Sequence, residues 1–161
     1  PEDFMVAQHP SEHVFDEPHV IAGWAENPIF DKEIGEHEFF TAAHISVRLG
    51  PQRNLTFTER HLEALHRKRK VAIYAPNFSV VPWFLVGTHR LAVVQQRLAE
   101  AYKSLMPLRT APLPFEFPPM RLMAQFHSAR AGDQGLLWLL KQIRKIAAAI
   151  DDDGDLCMTP R

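Results

Sequence analysis

The residues whose types and spacing could do chemistry lie near the ends of two short apolar runs. His44, Ser46 and Arg48 alternate with apolar residues in HISVR, and Asn77 and Ser79 follow the run VAIYA. An arginine can pair a carboxylate, and hydroxyl, amide and imidazole groups can orient a phenol or an acid. These side chains are therefore candidates for contacts with a small polar or aromatic molecule.

Each of these side chains also has a structural explanation. A histidine at the start of a strand is often a structural residue, and a lone arginine is often a solvated charge. Asn77 has the residue type that caps helices, and a cap can still contact a ligand. Phe78, Trp83 and Phe84 are most simply core residues, because an apolar helix usually just packs.

The nine histidines raise the question of a metal site. His9 and His13 are four residues apart, but Pro10 breaks the helical face that this spacing needs. His61 and His66 are five residues apart, which places them on different helix faces. We therefore predict no metal site and no bound cofactor apart from a small-molecule effector.

Catalytic motifs are absent from the sequence. It contains no GxSxG, Walker loop, GxGxxG or HExxH pattern, and Cys157 has no evident histidine partner. The acidic run at 151–155 lacks the spacing of a calcium loop. We predict that the chain is not an enzyme and that it has no catalytic residues.

Composition restricts the class of protein further. The chain has 161 residues, a net charge of -1 and a single cysteine. A domain that held DNA by itself would carry an excess of basic residues. No apolar run is long enough to span a bilayer, and no internal disulfide can form. We expect a soluble, cytoplasmic protein with no membrane partner, and one substantial core.

Strand-like and helix-like runs alternate along the chain. Strands are predicted at 14–25, 44–48, 71–75, 91–95 and 120–127. Helices are predicted at 34–40, 79–86, 97–105 and 133–150. A further short helix is predicted where Thr56 and Glu59 have the spacing of a capping box. This order predicts an α/β protein built from Rossmann-like βαβ units around a largely parallel sheet.

Two segments have a more particular character. The helix at 79–86 is apolar on nearly every side, which predicts burial on both flanks. The segment 107–119 holds five prolines, so it is predicted to be an extended linker.

Several segments together resemble the effector-binding domain of LysR-type transcriptional regulators. They are VFDEPHVIAGWAENP, AHISVRLG, PNFSVVP, VGTHRLA and PLRTAPLPFEFPP, and they follow one another in the order found in that family. Within it, the NodD-like and aromatic-catabolism regulators are the most similar. The resemblance implies the type II periplasmic-binding-protein fold, with one complete lobe and part of a second. It also implies an N-terminally truncated fragment, because the helix-turn-helix and the opening strands of the family are missing.

The resemblance also suggests a domain organisation. Residues 1–28 correspond to the end of the first lobe and the first crossover strand, and residues 29–112 to the second effector-binding lobe. Residues 113–150 correspond to the return crossover and the C-terminal helix of the first lobe. The acidic end, 151–161, reads as a disordered tail.

Ligands of open α/β sheets bind beyond the carboxyl ends of the strands. The resemblance places His44, Asn77, Phe78 and Phe126 at the effector cleft of relatives that bind aromatic compounds. The predicted effector-binding residues are His44, Ser46, Arg48, Asn77, Phe78, Ser79, Thr88 and Phe126.

The predicted function is that of a co-inducer-sensing regulatory domain that responds to a small aromatic or phenolic effector. The domain would form homodimers or tetramers, and it would reach DNA and RNA polymerase only through the full-length protein. Two alternatives remain open at this point: a solute-binding protein of the same fold, or an α/β enzyme without recognisable motifs.

Overall fold

The computed structural model describes residues 1–50, 52 and 54–156. The strands are β1 (Ser11–Glu17), β2 (His19–Trp24), β3 (Ala43–Leu49), β4 (Asn54–Leu55), β5 (Lys70–Ala75), β6 (Leu91–Gln95), β7 (Leu108–Ala111) and β8 (Met120–Gln125). The α-helices are α1 (Glu36–Thr41), α2 (Phe57–Ala64), α3 (Val81–Leu85), α4 (Gln96–Lys103) and α5 (Gln134–Leu156).

The chain forms two compact units. The larger unit is Pro18–Pro119, and the smaller unit combines Pro1–Glu17 with the chain from Met120 onward. The breaks between the two units fall at prolines. Pro18 and Pro119 have no N–H to donate to a strand ladder, so pairing changes partner at these points.

Pro18 has a direct effect on the first predicted strand. The single strand expected at 14–25 is in fact two strands, β1 in the smaller unit and β2 in the larger one. β1 pairs antiparallel with β8, whereas β2 pairs antiparallel with β6 and β7. The prediction of one continuous strand was wrong.

The sheet of the larger unit is mixed, not largely parallel as predicted. β3 runs parallel to β5 on one side and to β6 on the other. The antiparallel strands β2 and β7 extend the sheet beyond β6, and β4 pairs antiparallel with the end of β3. β7 lies inside the segment predicted as linker, where residues 108–111 contain no proline and are free to pair.

Two apolar clusters, one on each face of this sheet, form the core of the larger unit. Alternation along β6 shows the division, since Ala92 and Val94 enter one cluster and Leu91 and Val93 the other. The α4-side cluster contains Ala22, Ile45, Val47, Ala75, Val81, Leu85, Ala92, Val94, Ala99 and Leu108. The α1-side cluster contains Ile21, Phe30, Ile34, Phe39, Leu62, Leu91 and Val93.

Helix α3 is less buried than its composition predicts. Val81, Pro82 and Leu85 are buried, but the side chain of Trp83 is 71% exposed and that of Phe84 39%. The expectation of burial on both flanks was therefore wrong. A five-residue helix has room for one packed face only, and that face is the one turned to the α4-side cluster.

The smaller unit consists of the β1–β8 pair and helix α5. The Asp133 side chain caps this helix, because its Oδ1 accepts from the Leu136 N–H at 2.8 Å. Among the helix residues whose side chains are described, Leu140 and Ala147 are buried, and they lie two turns apart, as the 3.6-residue period predicts. The helix continues to Leu156, past the predicted end at 150, and residues 157–161 of the predicted tail lie outside the described residues.

Candidate functional site

The carboxyl end of β5 turns into α3 through a polar corner. Asn77 is the N-cap of a 3-10 turn, and its Oδ1 accepts from the Val80 N–H at 3.2 Å and from the Ser79 hydroxyl at 2.7 Å. Asn77 and Ser79 are both exposed, and the Asn77 amide nitrogen donates to no acceptor in the described part of the chain. The corner therefore offers a fixed but unused pair of N–H donors.

Phe78 gives the same corner an apolar side. It is half-buried and packs on the α4-side cluster, while the backbone oxygen of Ser79 accepts from the Tyr102 hydroxyl at 3.2 Å. Packing on one flank and a hydrogen bond on the other hold the corner in place. Asn77, Phe78 and Ser79 are thus the predicted site residues that the structure brings together.

His44 and Ser46 lie on the opposite face of the sheet, where both are completely buried. The His44 Nε2–H donates to the Phe39 backbone oxygen at 2.7 Å, and the two rings are 4.6 Å apart. Burial, together with the charge of Arg69, lowers the pKa of His44 to about 4, so the ring is neutral near pH 7. In this structure both side chains are core residues, and their contact with an effector stays a prediction.

Arg48 follows on the same face as His44 and Ser46, at the carboxyl end of β3. Its guanidinium donates to Glu63 at 3.0 Å and lies 5.5 Å from the centre of the Tyr74 ring. The arginine is therefore already paired within the larger unit, although a guanidinium keeps further N–H donors for a ligand.

Thr88 lies away from the Asn77 corner, and Phe126 belongs to the smaller unit. Thr88 precedes β6, so it is at the amino edge of the sheet, where its hydroxyl donates to the Leu85 backbone oxygen at 2.9 Å. A strand of this length separates the two edges by roughly 17 Å. Phe126 follows β8 in the smaller unit, and its N–H donates to the Pro10 oxygen at 3.2 Å. Their role in binding stays a prediction.

A histidine that sequence reasoning missed lies at the carboxyl edge of the same sheet. His19 faces Gln95 across the β2–β6 pair, and the His19 ring nitrogens and the Gln95 Oε1 are buried without a hydrogen-bond partner among the described residues. The His19 ring is 5.6 Å from that of Phe57 and 5.3 Å from that of Phe117. Burial, and then the charge of His61, lower its pKa to about 4.

The sequence held one signal for this histidine. Pro18 divides the strand, and the division makes His19 the first residue of β2 and places it opposite the last residue of β6. The aromatic neighbours Phe57 and Phe117 come from distant segments, so the local spacing of residues does not predict their contact with His19.

The chemistry of this arrangement is that of binding. The carboxyl edge presents amide and hydroxyl groups beside aromatic rings, which suits a small aromatic molecule with a polar substituent. Within the residues that the structure describes, no three side chains of the metal-binding types converge on one point. No described helix combines the length and the apolar character that crossing a bilayer requires.

The sequence is similar to nodulation D proteins. It is 28% identical over 161 residues to nodulation protein D 1 of Mesorhizobium japonicum, covering all of this chain and 51% of that protein. It is 31% identical over 140 residues to nodulation protein D of Azorhizobium caulinodans, covering 86% of this chain and 44% of that protein. The chain thus spans about half the length of the curated relatives that it matches. No protein-family model matches the sequence.

Solved structures share the fold. The regulatory domain of MexT, a transcriptional activator in Pseudomonas aeruginosa, matches with a TM-score of 0.71 at 25% identity, over 86% of this chain and 68% of that one. The BenM effector-binding domain with its effector benzoate matches with a TM-score of 0.70 over 92% of this chain and 67% of that one. Its 13% identity supports the fold alone.

Fold and homologues point to the same class of protein: the chain has the periplasmic-binding-protein-like fold of LysR-type regulatory domains. Nodulation D proteins are among its curated homologues. The fold class and the resemblance inferred from the sequence are confirmed.

Proposed function

We propose that this chain is the ligand-sensing domain of a transcriptional regulator and that its effector is a small aromatic or phenolic molecule. The observation that carries the proposal is the corner at Asn77 and Phe78, where a fixed amide with unused donors stands beside a half-buried ring. A domain of the same fold, the BenM effector-binding domain, has benzoate as its effector. The amide would orient the polar substituent, and Phe78 would contact the effector ring.

Regulation follows from differential binding. An effector that binds one conformation of the regulatory domain more tightly raises the population of that conformation. In an oligomer, this shift changes how the DNA-binding parts of the full-length protein are presented. We propose a homodimer or tetramer that contacts DNA and RNA polymerase only through the full-length protein, and therefore acts in the cytoplasm.

Thermal shifts test the proposal. Phenolic acids, hydroquinones and flavonoids are added one at a time, and the Tm of the wild-type chain is expected to rise saturably with at least one of them, because a ligand that binds only the folded state stabilises it. Asn77→Asp keeps the oxygen that caps the turn but removes the amide donors, so its Tm should not respond.

Ser104→Ala is the matched control, since it also removes one exposed polar group, at the residue that follows α4. Its response should equal that of the wild type. The proposal fails if no compound raises the wild-type Tm, or if Asn77→Asp responds as strongly as the wild type.

A further inference from the structure

A second polar site lies in the larger unit, between α2 and the β3–β5 pair. It is a cavity of about 210 Å³ whose lining includes Arg48, Glu59, Glu63, Arg69 and Tyr74. Every lining residue belongs to the larger unit, and none is part of the Asn77 corner. This cavity is therefore separate from the proposed effector contacts at Asn77 and Phe78.

Arg69 is the residue that makes this cavity unusual. Its side chain is only 8% exposed, and one guanidinium nitrogen donates to Glu59 at 2.7 Å. The other terminal nitrogen, Nη1, is buried and has no acceptor among the described residues. A buried donor without an acceptor costs free energy, and an arginine fork fits the paired oxygens of an oxyanion.

More guanidinium groups than carboxylates line the cavity. Arg48, Arg67 and Arg69 are lining residues beside Glu59 and Glu63, and the guanidinium of Arg67 is paired with Glu36, which is not part of the lining. Arg48 lies over the Tyr74 ring and uses one nitrogen for Glu63, which leaves other donors for a ligand. The run at 67–70 consists entirely of basic residues, and such a cluster raises the local concentration of anions.

We propose that this cavity binds a small oxyanion, a carboxylate or a phosphate, held by Arg69 Nη1 and by the remaining donors of Arg48. Glu59 accepts from the other terminal nitrogen of Arg69 and so holds the guanidinium in place. The anion acts as a second ligand of the regulatory domain, and its binding is independent of the proposed effector site.

Isothermal titration calorimetry of the full chain at low ionic strength tests this site, with inorganic phosphate in one arm and benzoate in the other. At least one anion is expected to bind with a stoichiometry of one at this site, and the two arms distinguish a phosphate from a carboxylate. Arg48→Gln should weaken binding by about tenfold, as for the loss of a charged hydrogen bond.

Lys68→Gln is the matched control. It removes one positive charge from the same basic run, but Lys68 is exposed and does not line the cavity, so binding should weaken by less than about twofold. Asn77→Asp should leave anion binding at this site unchanged, which separates the result from that of the effector proposal. Equal losses in Arg48→Gln and Lys68→Gln would indicate diffuse attraction and overturn the proposal.

A measurement on the wild type covers the case in which Arg48→Gln does not fold. The side-chain N–H resonance of Arg69 should shift during the phosphate or benzoate titration, whereas that of Arg130, in an exposed ion pair with Asp133, should not. Absence of saturable binding for both anions, or binding without a shift at Arg69, would overturn the proposal.

Discussion

Two buried histidines are the residues through which pH acts most directly on this fold. The rings of His19 and His44 are packed against phenylalanines, and their pKa values are lowered to about 4 from 6.5. The unfolded chain therefore binds protons more readily than the folded chain between these two values. The stability that the neutral rings provide is present above pH 6.5 and is lost as the pH falls toward 4.

The free energy of unfolding should therefore fall by roughly 2 kcal/mol for each of the two histidines between pH 7 and pH 5. Urea unfolding at a series of pH values measures this dependence. The double variant His19→Gln, His44→Gln should show a flatter profile, because neither position titrates any longer. His89→Gln, at an exposed position, should retain the wild-type slope. A double variant with the wild-type slope would contradict the assignment.

For single residues, the sequence predicted possible roles better than it predicted which side chains are buried. It identified Asn77 as both a cap and a contact, and the structure confirms the cap. It left open whether His44 is a structural residue or a ligand contact, and the structure shows the ring buried against Phe39. Burial depends on which segments pack together, and that information is not present in the local spacing of residues.

Single residues at element boundaries decide much of the architecture. The structure confirms the helix predicted from Thr56 and Glu59, because the Thr56 hydroxyl accepts from the Glu59 N–H at 3.2 Å. It also confirms the strand at 91–95, and Gly87, which has a φ of 71°, follows the helix that precedes this strand. The prediction of a largely parallel sheet was wrong, because antiparallel pairing between distant segments such as β2 and β7 leaves no periodic pattern in the sequence.

The cap of α2 supports a quantitative expectation. Thr56→Ala should lower the free energy of unfolding by about 1 kcal/mol, because the Glu59 N–H loses its acceptor in a buried setting. Thr56→Ser keeps the hydroxyl and should retain most of the stability. Urea unfolding of both variants measures the difference. Equal losses would show that the threonine methyl group, and not the cap, is responsible.

At the scale of the whole molecule, the core is concentrated in the larger unit. Both apolar clusters lie within Pro18–Pro119, on the two faces of its sheet. The smaller unit contains a two-stranded sheet and one helix, and such a pair of strands is marginally stable by itself. The larger unit therefore has the apolar burial that an independent domain needs.

A fragment comprising residues 18–119 should accordingly fold by itself and unfold in one cooperative transition. Circular dichroism during urea unfolding measures the cooperativity, and near-ultraviolet signals from the buried aromatic residues report fixed packing. A fragment of residues 120–161 is the control and should show no cooperative transition. A gradual, non-cooperative loss of signal from the 18–119 fragment would contradict this description of the core.

The most direct test of effector sensing at the carboxyl edge is an amide NMR titration of the wild-type chain with an aromatic compound that raises its Tm. We predict saturable shifts concentrated at residues 75–80, with the same midpoint at each affected amide. Saturable shifts confined to the amino edge of the sheet, around Asn27, Thr88 and Arg90, with none at residues 75–80, would contradict the proposal.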